Sequence, residues 1–172
     1  MRINPGPIKK TLLILLCLGF LQVLAGSFGK RYWLNFTQSE PVGLYRMERL
    51  DRDVKRGDMV VMSIPLQFRQ YVYGRNWLPE GWPLLKHVGA LAGDLFCARD
   101  ALFTINGLPV GPVFPADRQG LTLPHLEGCG RVPEGYFIPV AVRIKNSFDG
   151  RYMGPVSLSE IRGVATPILV FR

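Results

Sequence analysis

The chain has 172 residues, enough for one domain but not for two sizeable cores. With 48% hydrophobic and 20% charged residues it is not a disordered tail. Its 19 glycines and 14 prolines favour turns and short strands over a helical bundle. Three cysteines exclude a disulfide-stapled mini-protein, and a formal charge of +8 leaves nucleic acid or an anionic membrane as partners until the charges are placed.

The first thirty residues read as a membrane segment. Residues 1–10 carry Arg2, Lys9 and Lys10 and no acid, and residues 11–28 (TLLILLCLGFLQVLAGSF) hold no charge, with Gln22 their strongly polar member. Eighteen apolar residues are at the short end of what a spanning helix needs. Lys30, Arg31, Tyr32 and Trp33 follow as interface residues. The basic end is expected to stay inside, which places residues 30–172 outside the inner membrane. A cleaved signal peptide is the alternative, with Ala25 and Ser27 as a weak small-x-small site. Either way the domain is exported to the periplasm.

Export makes the cysteines interpretable. Cys17 lies within the apolar run and is expected to be a packed thiol. Cys97 and Cys129 lie in the exported part, where thiols oxidise, and they are expected to pair; two separate buried thiols are the alternative. There is no CxxC, and neither His87 nor His125 has a second ligand at metal-site spacing, so no metal or cofactor is expected.

The remainder reads as short strands in chain order. DMVVMSI (58–64) follows the turn signal Arg56-Gly57-Asp58. Residues 66–83, with Phe68, Tyr71, Tyr73, Trp77 and Trp82, interrupt the pattern as an insertion whose aromatics pack on the sheet or lie against the membrane. PLLKHV (83–88) is the next apolar run. Leu95–Ala98 and Leu102–Ile105 flank Arg99-Asp100, and Asn106-Gly107 is a hairpin signal. YFIPVAVRI (136–144) and the terminal ATPILVF complete the strands, with helical character around 155–161. The predicted class is mainly β, a folded sheet or partly open barrel with one N-terminal transmembrane helix. The basic residues form no dense run, which argues against nucleic acid.

Two residues carry candidate chemistry. Ser39 sits in TQSEPVGLY, where Pro41 fixes the chain just after it and Gly43 allows close backbone approach. Lys86 interrupts an apolar run. On a strand, Leu84, Lys86 and Val88 share one face and Leu85 and His87 the other. A lysine walled by aliphatic side chains loses its proton more readily, and a neutral lysine can act as base toward a serine hydroxyl. A lysine snorkelling to water from a strand edge is the alternative.

The segment S-x-P-x-G-x-Y, the strand with GDMVVM, the box LLKHVGALAGD and the box NSFDGRYMGPV resemble, in that order, the membrane-anchored signal peptidase family. They are most similar to its conjugative-transfer branch, the TraF-type pilin-maturation peptidases. The resemblance covers residues 35–167. It implies a signal-peptidase-like folded sheet and a serine peptidase with Ser39 as nucleophile and Lys86 as general base. It also implies that Thr37 assists the oxyanion, that Ser147 orients the lysine, and that Asp149 and Arg151 are the acid and base of the same box, the acid being linked to activity in this branch. Where the family often has Asp-Ser-Arg, this chain has Asp149-Gly150-Arg151.

The expected substrate is therefore an exported precursor, a conjugative pilin, cleaved and then released by water or joined head to tail. The expected surroundings are inner-membrane lipid and the conjugative transfer machinery. A general signal peptidase I acting on secretory precursors would use the same chemistry. A non-catalytic pilus-assembly scaffold and a Ser-His-Asp hydrolase using His87 or His125 are the other readings.

Overall fold

The computed structural model describes residues 11–19, 22, 32–50, 53–141 and 143–171. Eleven strands lie among them: β1 (Tyr32–Asn35), β2 (Gly43–Glu48), β3 (Met59–Met62), β4 (Leu84–Leu91), β5 (Leu95–Arg99), β6 (Leu102–Ile105), β7 (Leu108–Pro112), β8 (Gly128–Arg131), β9 (Tyr136–Val140), β10 (Val156–Ser157) and β11 (Ile161–Val170). They form a seven-stranded sheet, β1-β2-β11-β3-β4-β9-β10, and a four-stranded sheet, β7-β6-β5-β8. The mainly β expectation is met.

Apolar alternation sets the faces. Val60, Leu84, Val88 and Phe137 pack into one core with Val54, Met62, Ile64, Val72, Met153 and Val156. Val61, Leu85, Tyr45 and Ala165 build a smaller core on the other face. Ala90, Ile138 and Val140 meet Ala98, Phe103 and Ile105 of the small sheet, with Val132 just after it, in a third. β4 runs three residues beyond the expected apolar run, whereas β9 ends at Val140, four residues before its apolar stretch does. β4 pairs with β9 from His87 onward, so the chain after Val140 departs from the sheet beside Lys86.

The hairpin at Asn106-Gly107 forms as expected, both residues having positive φ (49° and 78°) and β6 pairing with β7. Residues 155–161 hold a 3-10 turn (Leu158–Glu160) between β10 and β11 rather than a longer helix, because Val156 and Ser157 are drawn into the sheet opposite Phe137 and Tyr136. The insertion forms a 3-10 turn and one helical turn (Arg69–Val72), and Val72, Phe68, Tyr73 and Trp77 pack on the main core. The packing half of that expectation is met.

Among the described residues no helix is long and apolar enough to cross a membrane, so the expected transmembrane helix is not found there. Residues 11–19 and 22 are helical, with Leu12–Leu16 exposed, and the rest of 11–28 lies outside the described residues. Cys17 is exposed rather than packed: it stands on this stretch of helix with no core against it. Cys97 and Cys129 form a disulfide at directly opposed positions of β5 and β8.

Candidate active site

Lys86 lies in the middle of β4, opposite Val60 and between Leu84 and Val88 on its own face. It is 2% exposed. Its ammonium group donates to Ser147 Oγ at 2.8 Å. Burial lowers its pKa from 10.5 to about 8; the carboxylates of Asp149 and Glu40 oppose that shift, and Arg151 reinforces it. The aliphatic wall read from strand alternation is present, and the lysine does not reach to water.

Ser147 is held by a rigid box. Asp149 caps the helical turn Gly150–Met153 and is fully buried. Its carboxylate accepts from the amides of Ala141 (2.9 Å) and Arg151 (3.1 Å) and from two guanidinium nitrogens of Arg151 (both 2.9 Å). Arg151, also buried, donates on to the carbonyls of Ile144, Lys145, Ser147 and Pro112. Asp149 thus has its lone pairs engaged and acts by geometry and charge, holding the loop that presents Ser147. Gly150 has a packing reason: a Cβ there would stand 2.6 Å from the Pro139 carbonyl oxygen and inside contact distance of Ile138. A serine at this position does not fit without a backbone shift.

Ser39 occupies a tight turn after β1 and is buried. Asn35 ties the turn together. Its amide nitrogen donates to the carbonyls of Thr37, Glu40 and Pro41 at 3.0–3.1 Å, and its oxygen accepts from the Thr37 amide and hydroxyl. Tyr45 donates from β2 to the Pro41 carbonyl at 2.6 Å. Thr37 Oγ1 lies 3.3 Å from Ser39 Oγ and gives its proton to Asn35 in this arrangement, 2.7 Å away. Gly43 admits the close approach of β11, since a Cβ would stand 2.8 Å from the Val170 Cα.

The turn reaches β4 through the residue after the serine. Glu40, 1% exposed, places Oε2 3.3 Å from His87 Nε2, and His87 is the residue after Lys86. The structure therefore brings Thr37 to Ser39, brings Lys86, Ser147, Asp149 and Arg151 into one network, and joins the two groups at Glu40–His87. Both ring nitrogens of His87 are engaged, Nδ1 lying 3.1 Å from the Gly57 carbonyl. His125 is exposed in a loop beside Glu127. Behind the box, a cavity of about 570 Å³ is lined by Trp77, Phe114, Phe148 and Tyr152 among others.

A profile of the family described as signal peptidase, peptidase S26, matches residues 8–170. The chain belongs to this family. The S26 chain is 36% identical over 151 residues to the conjugal transfer protein TraF of Agrobacterium fabrum, covering 81% of this chain and 83% of that one. It is 31% identical over 153 residues to a plasmid transfer protein TraF of Escherichia coli, covering 80% and 82%. A signal peptidase I of Enterococcus faecalis superposes with a TM-score of 0.39 at 21% identity, over 67% of this chain and 98% of that one.

Two residues of the candidate site were missed in the sequence. Asn35 carried a signal, since an asparagine ending a strand two residues before a threonine is a common Asx turn. Glu40 carried none: a glutamate between serine and proline reads as solvated, and its burial arises from the fold of the turn onto β4.

Proposed function

We propose that this S26 protein is a membrane-anchored serine endopeptidase with Ser39 as nucleophile and Lys86 as general base. The observation that carries the reading is a sequestered lysine, pKa about 8, whose strand is joined to the serine's turn. Near pH 8 a large fraction of Lys86 is uncharged and takes the Ser39 Oγ proton as the oxygen attacks a peptide carbonyl. The Ser39 amide, and the Thr37 hydroxyl once rotated from Asn35, stabilise the oxyanion; loss of such a donor typically costs ~10²–10³ in rate. Lys86 returns the proton to the leaving amine, and water or a substrate amino group releases the acyl enzyme. Ser147 keeps the lysine on target, while Asp149 and Arg151 keep Ser147 in place.

The substrate is an exported precursor, and likeness to proteins named for conjugal and plasmid transfer favours a conjugative pilin, cleaved and joined head to tail, over general secretory precursors. Residues 11–28 anchor the chain in the inner membrane, residues 1–10 face the cytoplasm and residues 30–172 face the periplasm with the transfer machinery. The test is processing of a co-expressed pilin precursor by Ser39→Ala and Lys86→Ala variants. Both are expected to abolish processing, and mass spectrometry separates a linear product from a circular one, which is lighter by one water. Parent-level processing by either variant sinks the reading.

A further inference from the structure

Asn35 and Tyr45 hold the Ser39 turn to β1 and β2. Glu40 holds it to β4, the strand of the lysine. This link is unusual in two respects. Glu40 is buried, yet its Oε1 has no hydrogen-bond partner among the described residues, a costly state for a carboxylate. Both ring nitrogens of His87 face oxygen acceptors, Glu40 Oε2 and the Gly57 carbonyl, and only an imidazolium donates to both. With His87 protonated, the link is an ion pair one residue along from each member of the proposed dyad.

We propose that Glu40 and His87 are positioning residues whose ion pair latches the Ser39 turn onto the Lys86 strand and whose net charge sets how readily Lys86 releases its proton. The proposal rests on the Ser39–Lys86 reading. The Glu40 carboxylate favours the ammonium form of Lys86, and the imidazolium offsets it. Among the described residues, other groups also face the three. Lys86 faces Ser147, Asp149 and Arg151 of the box after β9. Glu40 acts on the Tyr45 phenol of β2, on which Arg143 also acts. Met59 and Val140, opposite His87 on the neighbouring strands, do not titrate. The Asp58 carboxylate, in the turn beneath His87, accepts from the Lys55 amide. His87 itself is held above its ordinary pKa, first by Glu40 and then by the Gly57 carbonyl, with burial opposing.

The experiment is the pH dependence of precursor cleavage by the full chain in lipid nanodiscs, together with ¹⁵N NMR titration of the Lys86 Nζ. Glu40→Gln keeps shape and hydrogen-bonding capacity but removes the charge, so the acid limb of kcat moves down by about one pH unit. His87→Gln leaves Glu40 uncompensated, so the limb moves up, and the double variant returns toward the parent. Glu40 is sealed from solvent, so KM stays unchanged while kcat falls about ten-fold as the turn loosens. Limbs that coincide with the parent's, or that move in the same direction in both single variants, overturn the proposal, as does a fall in kcat with no shift. The NMR titration separates the two readings. If Lys86 shifts as stated while Lys86→Ala still cleaves, the charge coupling stands and the dyad falls.

Discussion

Lys86 illustrates what a buried amine costs the fold. The unfolded chain holds this proton up to about pH 10.5 and the folded chain releases it near pH 8. Below pH 8 the folded state carries the full penalty of a sequestered charge, and the penalty is relieved as pH rises toward 10.5. Lys86→Met is therefore expected to be inactive and more stable, by about 3 kcal/mol near pH 7 and by little near pH 10. Denaturant unfolding at the two pH values measures this, and an equal gain at both would refute the burial account. The residue's face and aliphatic flanks were legible because a period of two needs only neighbours in sequence. Its partner Ser147 came through family resemblance, 61 positions away, and Glu40 was illegible because nothing local buries it.

At the scale of elements, turns decide what a sequence discloses. Asn106-Gly107 announced its hairpin because both residues tolerate positive φ. Asp100-Ala101 makes the same kind of turn between β5 and β6, with φ of 52° and 56°, but alanine rarely adopts this conformation and gave no warning. No strand was read at β1, β2, β7, β8 or β10 for a related reason: each is two to six residues long, and Gly-Cys-Gly-Arg or Leu-Pro-Val-Gly-Pro becomes a strand only through its neighbours. The Ser39 turn is likewise made by one side chain rather than by its own residues. Asn35→Ala removes its three donations and two acceptances, and is expected to destabilise the domain by about 2 kcal/mol and to free residues 36–41. Thermal melting with hydrogen exchange reads both effects. Protection in the turn equal to that of the parent would show that Tyr45 and Glu40 suffice.

Over the whole molecule, the two sheets share the core around Phe103, Ile138 and Val140, and the disulfide fastens β5 to β8 at the far side of the smaller one. The bond joins residues 32 positions apart in sequence, for which chain entropy predicts ~3.5–4 kcal/mol of stabilisation. A Cys97→Ala/Cys129→Ala variant is expected to lose about that much unfolding free energy, read by denaturant titration, while the pH at which Lys86 titrates stays put. A moved titration would mean that the small sheet shapes the lysine's surroundings directly.

The guanidinium of Arg151 gives these parts a common fate. It reaches the Pro112 carbonyl on β7 of the small sheet, and the Ser147 carbonyl beside the lysine's hydroxyl partner. Sliding one sheet against the other would cost this buried cation its Pro112 acceptor, although the Asp149 carboxylate and the loop carbonyls stay with it. The two sheets also share one apolar core, so melting is expected as a single calorimetric event in which the chemistry is lost together with the architecture.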